Sequence, residues 1–166
     1  MIICGVDPGL ANCGLASIVV NGSGKCVYQY STTVKSKLGG SGPEVDACLR
    51  IAEGACIYVR EAHAVAMEYG SWPRSYKANR YLGLCSGVIC GLLDRSESQL
   101  IFRSPQRIRQ LLEVRDSSKE AVVRAIRPLI RNFPRKKLPQ HEYDAMAAAL
   151  AVAVDLGWLD ESEGAL

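Results

Sequence analysis

The stretch Met1-Ile-Ile-Cys-Gly-Val-Asp-Pro-Gly9 decides the fold that we expect. Its apolar run from Ile2 to Val6 is typical of a short strand buried on both faces. Pro8 cannot donate a hydrogen bond to a sheet and Gly9 permits a turn, so the strand should end at Asp7. Open α/β sheets place their sites at such strand ends. Asp7 is therefore either a site carboxylate or a turn residue that caps its own backbone, and this stretch alone leaves both interpretations open.

The composition predicts a globular protein with one core. The chain has 166 residues, of which 48% are hydrophobic and 22% charged, and we predict a single domain over residues 1–166. No apolar window reaches the ~18 residues of a membrane span, and no basic region precedes the first apolar run as in a secretory signal. The seven cysteines form no C-x-x-C pair, which indicates reduced packing residues. We expect a cytoplasmic protein, or a viral or phage protein that acts inside its host cell.

Charge is unevenly distributed along the chain. Residues 103–137 carry eleven Lys and Arg against three Asp and Glu, a local net charge of +8, whereas residues 141–166 carry six acids and no Lys or Arg. This asymmetry favours a surface that binds a polyanion beside an acidic cluster. The alternative is an ordinary solvated helix surface.

Apolar periodicity and turn residues predict an antiparallel meander followed by alternating helices and strands. Capping-box patterns at Ser41 and Ser117 mark two helix starts, and Pro128 should bend the second of these helices or end its first segment. The first helix should bury a face made of Val45, Leu49, Ala52, Cys56 and Val59. The predicted elements are strands at 2–6, 15–20, 25–34, 64–69 and 99–102, and helices at 41–62, 75–93, 104–112, 117–132 and 141–156.

Glu68 lies near the end of the strand that follows the first helix, as Asp7 lies at the end of the first strand. A right-handed crossover would make these two strands parallel neighbours, which brings their terminal carboxylates side by side. Such a pair repels itself unless a metal ion or a proton lies between the two groups. The alternative is a surface glutamate at a strand end, and the pairing with Asp7 makes a functional role the better interpretation.

The last helix carries a second set of polar residues in its first turn. His141 and Asp144 are three residues apart and share a face, while Glu142 points away. Small residues such as Ala147 and Ala151 continue the shared face and allow close approach to a sheet. The acids could merely complement the helix dipole, but that explanation accounts less well for His141.

These stretches together resemble the RuvC Holliday junction resolvases. The resemblance rests on Asp7-Pro-Gly-Leu-Ala-Asn-Cys-Gly14, Ala66-Met-Glu68, Leu82-Gly-Leu-Cys-Ser-Gly87, Ser104-Pro-Gln-Arg-Ile-Arg109 and His141-Glu-Tyr-Asp-Ala-Met-Ala-Ala-Ala-Leu150, in this order. It covers roughly residues 2–154. The implied fold is α/β and RNase H-like, with a five-stranded mixed sheet, an antiparallel meander followed by parallel strands, and helices on both faces.

The resemblance implies a metal-dependent nuclease that resolves four-way junctions by paired symmetric nicks. Its four metal ligands would be Asp7, Glu68, His141 and Asp144, holding two Mg²⁺ ions for which Mn²⁺ substitutes. Many members of the family have an acid at the position of His141. A neutral imidazole makes the site less negative and favours Mn²⁺ slightly more.

The resemblance also implies DNA contacts and a dimer. Arg109 and Lys119 would contact the phosphate that is cut, and an aromatic residue would stack at the junction centre. The predicted DNA-binding residues are Trp72, Tyr76, Arg107, Arg109, Arg115 and Lys119. Gly83 and Gly87 give one helix a smooth face that packs either on its own sheet or on a second subunit, and we expect the second. A branch-migration helicase is a further expected partner.

Three other functions compete with this prediction. An actin-like ATPase also begins with an Asp-x-Gly loop after a strand, but that fold needs two such domains. A catalytically silent DNA-binding module would explain the basic segment but not four potential ligands. A different RNase H-like nuclease, acting on flaps, branched DNA or structural RNA, is the closest rival, and the sequence separates it poorly from a junction resolvase.

Overall fold

The computed structural model describes residues 1–38, 43–69, 75–93, 97–116 and 118–159. No helix in these ranges is long and apolar enough to cross a lipid bilayer. The strands are β1 (Ile2–Asp7), β2 (Asn12–Val20), β3 (Cys26–Lys35), β4 (Ala64–Glu68), β5 (Gln99–Arg103) and β6 (Ile130–Arg131). The helices are α1 (Pro43–Glu61), α2 (Tyr76–Leu93), α3 (Pro105–Leu111), α4 (Lys119–Leu129) and α5 (Gln140–Asp155).

The strands form one mixed sheet in the order β5-β4-β1-β2-β3-β6. The first three strands are an antiparallel meander. As predicted, parallel strands follow: β4 pairs with β1, and β5 pairs with β4. The prediction of five strands is wrong, because β6 pairs in parallel with Cys26 and Val27 at the start of β3. A strand of two residues directly after a helix leaves too little periodicity in the sequence to be recognised.

Helices cover both faces of the sheet, and the period of two along each strand assigns side chains to one face or the other. Ile3, Ala16 and Ile18 pack into a core with α3, α4 and α5. Cys4 and Val6 pack into a second core with α1 and α2. Because alternate residues share a face, the side of β1 that carries Ile3 also carries Asp7 and faces α5.

Two glycines allow α5 to lie directly on the centre of the sheet. A Cβ added to Gly5 would overlap the carbonyl oxygen of Ala145, and a Cβ added to Gly14 would overlap the carbonyl oxygen of His141. No residue with a side chain fits either position while α5 stays in place. The absence of two side chains therefore sets the depth at which α5 and its first turn lie on β1 and β2.

The exposed side of α1 differs from the prediction. Val45 and Leu49 were expected in the buried face, but they are 64% and 58% exposed. The helix carries two apolar stripes, and only the one that meets the sheet is buried. Its buried residues are Ala47, Ile51, Ala55, Tyr58 and Val59.

The starts of α3 and α4 agree with one predicted helix boundary and correct another. Ser104 caps α3, where its side chain accepts a hydrogen bond from the backbone of Arg107. The cap of α4 is Ser118 and not Ser117, so the predicted capping box is out by one residue. Pro128 lies in the last turn of α4, which ends at Leu129 instead of continuing to the predicted position 132. The proposed cap Ser41 and residue 117 itself lie outside the described residues.

Candidate active site

Asp7 and Glu68 lie side by side at one edge of the sheet. β1 and β4 pair in parallel, with Gly5 opposite Ala66 and Val6 opposite Met67, so the next residues are the two carboxylates. Asp7 is the last residue of β1 and Glu68 the last residue of β4. The side-by-side arrangement expected from the sequence is therefore present.

The first turn of α5 brings His141 to this edge. The helix begins at Gln140, after Pro139, and the Nδ1 atom of His141 lies 2.7 Å from Oδ2 of Asp7. An ionised carboxylate can only accept, so this pair requires the proton on Nδ1 when Asp7 is charged. Asp144 lies one turn further along α5, and its Oδ1 accepts a hydrogen bond from Nε2 of Gln140 at 2.8 Å.

The carboxylates are electrostatically coupled. Burial, followed by the negative charges of Asp7 and Asp144, raises the pKa of Glu68 to about 7, against the opposing charge of Arg109. Burial also raises the pKa of Asp7, with a contribution from Asp144, while His141 and Lys119 oppose the rise. Burial, and after it the repulsion between neighbouring carboxylates, therefore disfavours the ionised forms of Asp7 and Glu68.

A cleft of about 370 Å³ opens onto this cluster. Asp7, Glu68 and His141 line one side, and Tyr81 and Leu82 of α2 line the other. The prediction from sequence did not include Tyr81, because an aromatic residue inside an apolar helix has no local signal that separates a site residue from a core residue. The cleft gives the carboxylates access to an extended ligand.

Glu142 lies differently from the expectation. It was expected to point away from the face of His141 and Asp144, with the helix dipole as its alternative role; its side chain is turned toward β3, and only 7% of the residue is exposed. Ser31 donates a hydrogen bond to Oε2 at 2.5 Å, and Thr33 donates one to Oε1 at 3.3 Å. No local pattern reveals this role, since Ser31 and Thr33 are more than 100 residues away in the chain.

The predicted DNA-binding residues lie in different surroundings. Arg109 and Lys119 are near enough to the cluster for their charges to act on Glu68 and Asp7. Arg107 instead forms an ion pair at 2.9 Å with Asp155, whose pKa the arginines Arg103 and Arg107 lower.

Of the remaining predicted residues, those that the structure describes do not line this cleft. Arg115 is exposed. Tyr76 is 83% exposed at the start of α2, and Trp72 lies outside the described residues. At Gly83 and Gly87 an added Cβ would meet nothing within 4 Å, so these glycines do not pack on the protein's own sheet. Among the described residues, nothing therefore covers the smooth face of α2 at these two glycines.

Asp7, Glu68, Asp144 and His141 carry donor atoms of the kinds that bind divalent cations. Carboxylate oxygens suit Mg²⁺ or Mn²⁺, and one imidazole is compatible with Mn²⁺. In their present rotamers the described residues contain no group of three His, Cys, Asp or Glu side chains that could hold one ion. However, the 2.7 Å between Nδ1 of His141 and Oδ2 of Asp7 is close to the spacing of about 3 Å between adjacent ligands of an octahedral Mg²⁺ ion. A cation held by both atoms would lie to one side of the line that joins them, so binding would require loss of the shared proton and a turn of both side chains toward the ion.

Comparison with known proteins places the chain among junction nucleases. The family model for crossover junction endodeoxyribonuclease RuvC matches residues 3–153. No curated protein sequence gives a significant match.

Solved structures share the fold at low sequence identity. T. thermophilus RuvC in complex with a Holliday junction substrate has a TM-score of 0.83 and 23% identity, with 94% of each chain covered. The yeast mitochondrial Holliday junction resolvase Ydc2 has a TM-score of 0.64 and 14% identity, over 94% of this chain and 78% of that one. The fowlpox virus Holliday junction resolvase has a TM-score of 0.60 and 17% identity, over 94% of this chain and 99% of that one.

Proposed function

The chain belongs to the RuvC family of crossover junction endodeoxyribonucleases and is a Holliday junction resolving nuclease; on this premise we propose that its catalytic centre consists of Asp7, Glu68, His141 and Asp144. The observation that supports this assignment most directly is geometric: Asp7 and Glu68 end two adjacent parallel strands, and Nδ1 of His141 lies 2.7 Å from Oδ2 of Asp7. Burial, and then the charges of Asp7 and Asp144, raises the pKa of Glu68 to about 7, and titratable groups with shifted pKa values in a cleft are typical of functional sites.

We propose Mg²⁺ as the metal, two ions per site, with Mn²⁺ as a substitute. Nucleases of this family depend on divalent metal ions. Bound here, two ions would lower the pKa of the attacking water and stabilise the leaving 3′ oxygen. The chain contributes the ligands, and Asp7 is the residue best placed to be shared between ions, because it neighbours both Glu68 and His141. His141→Asp should keep the activity and move the metal preference toward Mg²⁺.

We propose that Arg109 and Lys119 bind the DNA phosphate that is cut. Both act electrostatically on the carboxylate cluster, so a phosphate drawn to them would lie beside the acids. The exposed ring of Tyr76 is a candidate for stacking on bases at the junction centre, with Trp72 as the other candidate. Arg107 and Arg115 would contact the backbone of the junction arms, and for Arg107 this contact would compete with its ion pair to Asp155.

We propose that two copies of the chain act together. Paired nicks on a two-fold symmetric junction need two sites, and the part of the chain that the structure describes offers one carboxylate cluster. The open face of α2 at Gly83 and Gly87 supports a helix contact with a second copy. Val45 and Leu49 are further exposed apolar side chains on α1, the helix that packs against α2.

A substrate panel tests this function. The wild type, Asp7→Asn and a control Asp46→Asn on the exposed surface of α1 would be incubated with a four-way junction, a linear duplex, a flap and an RNA–DNA hybrid. We expect paired nicks in the junction alone, made by the wild type and the control, while Asp7→Asn binds the junction without cutting it. Cleavage by Asp7→Asn at the wild-type rate would refute the site assignment. Equal cleavage of flaps or hybrids would favour the alternative, a less specific RNase H-like nuclease.

A further inference from the structure

Glu142 is a buried acid that the proposed chemistry does not use. Among the described residues it is the only charged residue that is buried, with 7% of its surface exposed. Burying a carboxylate is unfavourable unless hydrogen bonds compensate for the lost water, and here the hydroxyls of Ser31 and Thr33 supply them. Tyr28 extends the network, since its hydroxyl lies 3.2 Å from that of Ser31. An acid that only interacts with the helix dipole can do so while it is exposed to water. The burial of Glu142 against β3 therefore needs another explanation.

The explanation lies in a row of residues across three strands. Asp7 on β1 pairs with Gly14 on β2, and Gly14 pairs with Thr33 on β3. The imidazole of His141 contacts Asp7, and the backbone of His141 lies directly on Gly14, where an added Cβ would overlap its carbonyl oxygen. The carboxylate of Glu142 contacts Thr33, the third residue of the row. The first turn of α5 is thus attached to three neighbouring strands at once.

We propose that Glu142 is a positioning residue that fixes the rotation of α5 and so holds His141 against Asp7. Successive residues of a helix point about 100° apart, so His141 and Glu142 lie on opposite sides of the line along which α5 touches the sheet. A roll of the helix that carries His141 away from Asp7 must also pull Glu142 away from β3. The two hydrogen bonds to β3 therefore oppose that roll. The proposal rests on the proposed function only in taking His141 and Asp7 as metal ligands.

The histidine spectrum tests the geometry without metal or DNA. The chain has two histidines, and His63 is an internal reference because its Nδ1 accepts a hydrogen bond from Ile2 at the other end of β1. In metal-free protein, Glu142→Leu should shift or abolish the imidazole resonance of His141 that reports the contact with Asp7. The resonances of His63 should stay where they are. Glu142→Gln, which keeps an oxygen acceptor, should retain most of the wild-type signal.

Ser17→Ala is the matched control. It removes a side-chain hydrogen bond to β3 that does not involve α5, the one that the buried Ser17 of β2 donates to Gln29 at 2.7 Å. We expect it to lower the melting temperature while leaving the His141 resonance unchanged. Should Glu142→Leu fail to fold, Ser31→Ala removes the shorter hydrogen bond from the β3 side and should produce the same spectral change in weaker form.

Metal binding gives the second measurement. Calorimetric titration with Mn²⁺ in the absence of DNA should show affinity reduced by about 10- to 100-fold in Glu142→Leu and unchanged in Ser17→Ala. An unchanged His141 spectrum in both Glu142→Leu and Ser31→Ala, or an equal loss in Ser17→Ala, would overturn the proposal. If the wild type binds no Mn²⁺ or cuts no junction, the proposed function fails, and the imidazole spectra still decide the role of Glu142.

Discussion

Replacing Glu68 by glutamine should stabilise the metal-free protein at neutral pH. Burial, and then the charges of Asp7 and Asp144, raise the pKa of Glu68 from 4.5 to about 7. A carboxyl group whose pKa is higher in the folded state binds its proton more tightly there, so the protein loses stability as pH rises from about 4.5 to about 7. A shift of this size corresponds to roughly 3 kcal/mol. Because water reaches part of the side chain, we expect roughly 1–3 kcal/mol.

Urea denaturation in EDTA at pH 5 and pH 8 measures this effect. The wild type should lose more stability between the two pH values than Glu68→Gln does, and the difference should equal the contribution of Glu68. Glu53→Gln, on the exposed side of α1, is the matched control and should follow the wild type. Added Mg²⁺ should restore stability at pH 8 in the wild type more than in Glu68→Gln. Parallel pH profiles for the wild type and Glu68→Gln, or a less stable variant at pH 8, would refute the electrostatic reasoning.

Four further substitutions test the site and the assembly. Gly14→Ala should lower both the melting temperature and the nicking rate, because the new Cβ overlaps a carbonyl oxygen of α5; a fully active variant of wild-type stability would contradict the close packing. Arg109→Ala and Lys119→Ala should reduce single-turnover nicking more than junction affinity measured by fluorescence polarisation, and a loss of affinity alone would reassign both residues to backbone binding. Gly87→Glu should give a folded monomer in sedimentation that makes no paired nicks; a wild type that stays monomeric at micromolar concentration with junction DNA would instead exclude the dimer.

The strand-end carboxylates could be predicted because their signals are local. An apolar run that stops at Asp-Pro-Gly fixes both the strand and its last residue, and the helix that precedes β4 makes a parallel crossover the expected connection. The pairing of Asp7 with Glu68 follows from these two facts alone. His141 and Asp144 are placed by the spacing of three residues that puts them on one helix face.

The features that could not be predicted depend on partners far away in the sequence. Glu142 resembles any acid in the first turn of a helix until β3 places two hydroxyls opposite it. Val45 belongs to one of two apolar stripes on α1, and only the position of the sheet decides which stripe is buried. The start of α4 was missed by one residue because neighbouring serines both fit a cap pattern, and Ser118 is the one whose side chain accepts the bond from Ala121.

The close packing of α5 on Gly5 and Gly14 has a consequence for how the chain folds. A slip of one residue between β1 and β2 would turn the side of β1 that carries Gly5 and Asp7 toward α1 and place Cys4 and Val6 beneath α5. Those larger side chains would prevent α5 from docking. A sheet with this slip therefore cannot accept α5, and the pairing that does accept it is the one that brings Asp7 to His141. The two glycines thus link the register of the sheet to the assembly of the site.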